Sequence, residues 1–329
     1  MMDWLRQLPD RVLYEMSYPF SPEARIYWLY LLGAMVMAFV VHRTIRRTVA
    51  GADHSFLRYL CPKTIYLHPS AIVDYKYYVV GRLIRAFGLV PLLVGAPTVA
   101  RWTEDALEGL FGAVAYSGPP GPATLLLYTL VVMVAFDLGV YIAHFLQHRL
   151  GILWEFHKVH HSAQVLTPLT LYRMHPCDDV VAGLCASFAI GTTAGAFSWG
   201  LGGPVSEVLA GGVNLALFLF YVFGYNLRHS HVWLHYPGWL SRLVLSPAQH
   251  QIHHSRDVAH LDKNFGLVFS FWDRMAGTLY VPVERETLEL GLGGGEDAEY
   301  QTVAALYLLP FHKAARRILR PFARTGRSP

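Results

Sequence analysis

Long apolar runs along the chain are separated by polar segments, and the histidine clusters lie just beyond the apolar runs. Read by length and hydropathy, the runs predict about five membrane-spanning helices, over 26–41, 78–100, 123–143, 180–201 and 205–225. The third is about 32 Å long as a helix, enough to cross a bilayer. Gly202-Gly203-Pro204 breaks the fourth from the fifth, so these two read as a hairpin. The expected fold is an all-α integral membrane protein in which a cytoplasmic, histidine-rich helical cap sits on the spans. Three regions follow: an N-terminal membrane region (1–122), a histidine-bearing domain (123–282), and a Gly-rich linker with a basic amphipathic tail (283–329). The opening MMDWLRQLPDRVLYEM mixes charges too freely for a cleaved signal peptide. It is expected to lie on the membrane surface as an amphipathic helix anchored by Trp4 and Tyr14. Gly291–Gly295 reads as a flexible linker, because it lacks the Gly-Lys-Ser/Thr ending of a phosphate loop. The basic segment 302–323 reads as a surface-lying helix.

Composition agrees with this picture. Of 329 residues, 53% are hydrophobic and only 15% charged, too apolar for an ordinary soluble domain of this length. The distribution of charge orients the spans. His42, Arg43, Arg46 and Arg47 follow the first run and place its end in the cytoplasm, whereas the 101–122 loop has Glu104, Asp105 and Glu108 without a basic cluster. Cys61, Cys177 and Cys185 form no CxxC pair and imply neither a disulfide framework nor a zinc–thiolate site. No feature points to nucleic acid.

The candidate chemistry lies in AHFLQHRLGILWEFHKVHH (143–161) and HQIHH (250–254), with His175 and His229 between them. On the predicted topology all of these fall on the cytoplasmic side. His144 and His148 are four apart; His157, His160 and His161, and likewise His250, His253 and His254, are related by three and four. Residues so spaced share a helix face, and each cluster is expected to aim its imidazoles at one point. Asp137 and Tyr141 continue the His144–His148 stripe deeper into the membrane, and Asp137 is expected to fix the tautomer of a ligand histidine. His42, His54, His68, His235, His260 and His312 stand alone and read as structural or solvated. Two HxxHH motifs and an HxxxH hold more imidazoles than one metal ion uses, so two ions are expected. Imidazole alone suits zinc, copper, iron or nickel. The HExxH motif of a zinc protease is absent.

DLGVYIAHFLQH, LWEFHKVHHS, RMHP, RHSHV, HQIHHSRD, DKNFG and FWDRMAGT together resemble the fatty acid hydroxylase superfamily, also called the sterol desaturase family, over about residues 123–282. The resemblance implies a membrane di-iron oxygenase that hydroxylates a lipid with O2 and two external electrons. A desaturase on the same site, or a non-redox dizinc membrane hydrolase, are the alternatives. It implies metal ligation by His144, His148, His157, His160, His161, His229, His250, His253 and His254, with His175 as a further motif histidine. His231 stands where the family often has asparagine, and Ala276 where phenylalanine is usual. No HPGG of a fused cytochrome b5 is present, so the expected electron donor is a separate cytochrome b5-like or ferredoxin-type protein. The expected location is a bacterial inner membrane, or the endoplasmic reticulum in a eukaryote, with the site facing the cytoplasm.

Overall fold

The structure, a computed structural model, describes residues 2–48, 55–86 and 94–324. His54 and Arg327, and the side chains of Trp4, Arg47, Arg320 and Arg324, lie outside the described set. Among the described residues the regular elements are helices apart from one two-stranded hairpin. In order, its helices are α1 (Met2–Ser17), α2 (Trp28–Thr48), α3 (Phe56–Leu60), α4 (Lys63–Tyr66), α5 (Pro69–Ala86), α6 (Ala96–Phe111), α7 (Pro122–Arg149) and α8 (Gly151–His161). There follow α9 (Pro176–Leu201), α10 (Leu215–Val222), α11 (Gly238–Ser241), α12 (Pro247–His253), α13 (Phe271–Ala276) and α14 (Val303–Arg324).

Among the described residues three segments are long and apolar enough to cross a membrane: Trp28–Arg46, Pro122–Arg149 and Pro176–Leu201. They correspond to three of the five expected spans. The predicted span 78–100 falls partly on residues 87–93, which lie outside the described residues, and its last part is interrupted at Gly95. α5 ends at Ala86 and α6 starts at Ala96, after an extended Gly95 and with Pro97 in its first turn. Proline favours a helix start and disfavours helix in the residue before it, so the chain restarts here. The predicted span 205–225 is instead a hairpin followed by a short helix. Leu209–Ala210 pairs antiparallel with Val213–Asn214 around Gly211 and Gly212, both at positive φ, as a two-residue hairpin turn of this type requires. Asn214 then caps α10 by accepting from the N–H groups of Ala216 and Leu217. Gly224, at φ 88°, ends this segment. Eight residues make only about 12 Å of helix.

The spanning helices approach closely at glycine. A Cβ on Gly139 of α7 would come within 2.7 Å of the α9 backbone. On Gly191 and Gly195 of α9 it would come within 2.6 Å and 2.3 Å of α6 carbonyls. Gly191 and Gly195 are a GxxxG pair, which lets two helix backbones meet without side chains between them.

The C-terminal segment is integral to the fold. Gly291, Gly293, Gly294 and Gly295 all have positive φ, and the Asp297 carboxylate accepts from the N–H groups of Leu292 (2.7 Å) and Gly293 (3.1 Å). The expected flexible linker is therefore a closed turn, in a conformation that glycine adopts without a steric cost. Helix α14 docks against α8: Leu306 is buried, and Glu296 pairs with Lys158 (2.9 Å) and Lys313 (2.7 Å). Arg317 of α14 pairs with the buried Glu155 of α8. Beneath them Arg173, fully buried, pairs with Asp74 of α5 at 2.8 Å. Arg173 also donates to the Val159 carbonyl (3.0 Å), Ser162 Oγ (2.8 Å) and the Tyr300 carbonyl (3.1 Å), joining α5, the end of α8 and the turn before α14.

Candidate metal centre

Four elements deliver the clustered histidines. α7 continues two turns past its expected end and carries His144 and His148. After a break at Leu150, α8 carries His157, His160 and His161. A 3-10 turn, Tyr225–His229, presents His229. α12 carries His250 and His253, with His254 as its C-cap. This last short helix begins at a capping box, Ser246 with Gln249, and Pro247 follows the cap. Gln251 donates to the carbonyls of Leu227 (2.8 Å) and Val232 (2.9 Å), which fastens the His229 segment to α12.

The imidazoles form two groups. His144, His148, His157, His161 and His253 make the first; His160, His229, His250 and His254 make the second; ligand atoms within each lie within 4.8 Å of one another. Each HxxHH motif is thus divided, contrary to the expectation that each would converge on one point. The first motif sends His157 and His161 to one group and His160 to the other. The second sends His250 and His254 to one and His253 to the other. Helix geometry explains the division. Successive residues rotate by about 100°, so adjacent histidines diverge while those four apart stay within about 40°.

In the second group the Nε2 atoms stand 3.1 Å (His229–His250), 3.2 Å (His229–His254 and His250–His254) and 3.3 Å (His160–His229) apart. Nitrogens arranged tetrahedrally about an ion at about 2.0 Å are separated by about 3.3 Å. In the first group two tautomers are set by backbone carbonyls. His144 Nδ1–H donates to Phe265 O and His253 Nδ1–H to Lys263 O, both at 2.8 Å. Their Nε2 atoms, and those of His148, His157 and His161, are buried without a hydrogen-bond partner. Buried nitrogen lone pairs left without donors are costly, and a cation at each group satisfies them. The donor set fits two metal ions.

Burial also keeps the imidazoles neutral, as metal ligation requires. It lowers His157 to about 3, and lowers His229 to about 3 with the Arg228 and Arg25 charges adding to the effect. Burial, then neighbouring charge, holds His160, His161, His250, His253 and His254 well below the ordinary value. The unfolded chain takes up these protons near pH 6.5 and the native protein does not. Metal-free protein is therefore expected to lose stability as pH falls below about 6.5, each such histidine contributing up to about 1.4 kcal/mol per pH unit. Between pH 7 and 8 it is expected to change little. Unfolding curves of chelator-treated protein across this range check the sign, and a flat profile would contradict it.

Other residues singled out in the sequence lie outside the two groups. His175 caps α9: Cys177 N–H donates to its Nδ1 (3.1 Å) and its Nε2–H donates to the Tyr307 carbonyl (3.1 Å). Both nitrogens are used, which removes it from the ligand set. Among the described residues Asp137 hydrogen-bonds to no histidine. It accepts from Val268 N–H (2.6 Å), Phe269 N–H (3.0 Å) and Trp272 Nε1–H (3.0 Å). Tyr141 meets Thr278 at 3.5 Å and packs on Phe145, Phe265 and Trp272. His231 faces the Tyr59 carbonyl at 2.6 Å. His68 accepts from Ser70 N–H and His260 meets Glu286 at 2.8 Å, both structural.

The outer support comes from residues given no role in the sequence reading. Asp178 lies 3.8 Å from His157 Nδ1, and Asp262 lies 3.7 Å from His148 Nδ1. Asn264, at φ 59°, donates to the Gln249 carbonyl (3.0 Å) and accepts from Tyr280 N–H (2.8 Å). That holds the 262–266 loop so that its carbonyls face His144 and His253. Asp273 braces the loop by accepting from Phe265 and Gly266 N–H at 2.9 Å. The DKNFG string was a signal for this loop, but main-chain acceptors leave no side-chain signature.

Residues 129–278 match the family model described as fatty acid hydroxylase. The chain is 27% identical over 198 residues to ornithine lipid hydroxylase OlsE of Rhizobium tropici, which covers 59% of this chain and 50% of the relative. It is 29% identical over 147 residues to alkylglycerol monooxygenase of Danio rerio, 43% of this chain and 28% of the relative. It is 28% identical over 164 residues to a delta(7)-sterol 5(6)-desaturase of Gibberella zeae, 50% of this chain and 45% of the relative. The matches span half or less of the length of these relatives. No solved structure is significantly similar to the chain.

Proposed function

We propose that this chain, whose residues 129–278 match the fatty acid hydroxylase model, is a membrane-bound di-iron lipid hydroxylase using O2 and two electrons from a separate redox protein. The observation that carries this reading is the pair of largely buried histidine groups, five and four imidazoles, with one nitrogen of each ring within 4.8 Å of the others in its group. The relatives' names supply the reaction class: a hydroxylase and a monooxygenase acting on lipids.

His144, His148, His157, His161 and His253 would hold one iron, and His160, His229, His250 and His254 the other. When bound, the iron pair supplies activation of O2 and removal of hydrogen from an unactivated C–H bond. The protein's own contribution is positional. The carbonyls of Lys263 and Phe265 keep two ligands in the Nδ1–H tautomer, so Nε2 is free to coordinate. Phe265, fully buried, packs edge-on to His144, His148 and His253 and keeps water from that side. The apolar faces of the spanning helices admit a lipid from the bilayer. The basic end of α14 offers a surface for an acidic electron donor, and we place the site on the cytoplasmic face.

The dizinc hydrolase reading needs a general base. Glu155, the carboxylate between the first motifs, is instead occupied by Lys158 and Arg317. Protein purified in detergent is expected to contain about two irons per chain with a coupled Mössbauer signal and to oxidise lipid only with O2 and a reductase system. Two zinc ions that persist after expression in iron-rich, zinc-poor medium would overturn the proposal.

A further inference from the structure

Arg228 directly precedes the metal-group residue His229 and is 1% exposed. Its Nε and Nη2 are buried and have no hydrogen-bond partner. Its guanidinium lies 5.3 Å from the Tyr225 ring and 5.6 Å from the Phe220 ring. A second guanidinium approaches the same tyrosine. Arg25 stands 5.8 Å from the Tyr225 ring and donates to its hydroxyl at 3.0 Å. The Asn226 amide donates to the Arg25 carbonyl (2.8 Å), and its own Oδ1 is buried without a partner. Among the described residues, no carboxylate pairs with either arginine. Asp137, the acidic group whose charge bears on Arg228, is committed to two backbone N–H groups and Trp272.

Two like charges placed about one buried ring, with no counter-charge, have lost hydration that the aromatic faces replace only in part. A planar fork of unused N–H groups matches a carboxylate or phosphate, which it can grip through two parallel hydrogen bonds. The surroundings say where such an anion comes from. Tyr30 of α2, Met133 of α7, Tyr221 of α10 and the Leu267–Val268 loop form one apolar cluster with Tyr225. An anion reaching this place travels with an apolar chain. We propose that Arg228, with Arg25 behind it, binds an acidic oxygen group at the polar end of the lipid substrate, a carboxylate or a phosphate ester, and so seats that lipid beside His229. The proposal rests on the lipid-substrate reading above and names the substrate class: anionic lipids.

The test reads binding, without turnover. Full-length protein in a neutral detergent, metal-loaded and without O2 or reductant, is titrated with palmitate, 1-palmitoyl glycerol 3-phosphate and the uncharged monopalmitoylglycerol, and complexes are counted by native mass spectrometry. Wild type is expected to bind at least one of the two anionic lipids about tenfold or more tightly than the neutral one. Arg228→Gln is expected to bring that ratio close to one, with two metal ions retained and neutral-lipid affinity unchanged. Arg228→Lys is expected to keep part of it. If Arg228→Gln does not fold, Arg25→Gln serves, with a smaller but measurable fall in the ratio. Equal binding of charged and neutral lipids by wild type, or an unchanged ratio in the folded variants, overturns the proposal. So does inorganic phosphate that binds wild type as tightly as the anionic lipids, because the site would then take a free anion. Charge discrimination without any oxidation would count against the oxygenase reading alone. Oxidation without charge discrimination would count against this inference alone.

Discussion

Alanine at His160 is expected to lower metal content from about two ions to about one and to abolish turnover. The loss should exceed the roughly 10–100-fold that removing an outer partner of a ligand costs, because the ligand itself is gone. The informative part is the pattern across the motifs. His160→Ala and His254→Ala should weaken the same metal position, since both belong to the second histidine group. His157→Ala and His253→Ala should weaken the other. Metal stoichiometry, with spectra of the remaining ion, separates the two classes. If His157→Ala, His160→Ala and His161→Ala all gave one signature, distinct from a second shared by the 250–254 variants, each motif would be serving its own ion. The divided arrangement would then be wrong.

The largest expected effect on stability is at Arg173. Its guanidinium and the Asp74 carboxylate are fully buried and form a pair at 2.8 Å, and Thr170 Oγ1 donates to the other Asp74 oxygen at 2.7 Å. Removing one partner strands the other as a buried charge, which costs about 3–5 kcal/mol. Arg173→Met is therefore expected to destabilise the protein by about that amount. The variant also loses the bond to Val159 O, which lies between the candidate ligands His157 and His160, so metal affinity should fall with stability. Replacing both partners, as Arg173→Met with Asp74→Leu, is expected to recover much of the stability but not the tie to Val159. Unfolding in detergent with parallel metal analysis checks both parts. A single variant within about 0.5 kcal/mol of wild type would show that the pair does not hold these elements together.

The departures from the sequence reading have a common cause. Asp137 was assigned to a histidine because both lie on one helical stripe, yet its oxygens meet the backbone at 268 and 269. A stripe tells which residues face the same way, and leaves open what faces them. His175 sits in a motif with the ligands, but proline at 176 starts α9 there, so the ring caps the new helix. The span expected at 205–225 has the composition of a membrane helix. Gly211 and Gly212 turn the chain before it can form, and Gly224 stops it. In α9 the GTTAG string is a local sign of close helix packing, but its partner, α6, is set only by the tertiary structure.

By itself the sequence located, among the five runs it predicted, the three apolar helices long enough for a membrane, and it picked out the clustered histidines that could hold metal. These follow from composition, run length and residue spacing, all of which act within a few turns of one helix. Tertiary structure decided how each HxxHH motif is shared, which main-chain carbonyls set the tautomers, and which carboxylates stand behind the ligands. Those depend on where α8 and α12 face each other and on the path of the 262–266 loop. Spacing along one helix cannot carry that information, because the partners lie on other segments, some of them far along the chain as Phe265 is from His144, and are brought together only by packing.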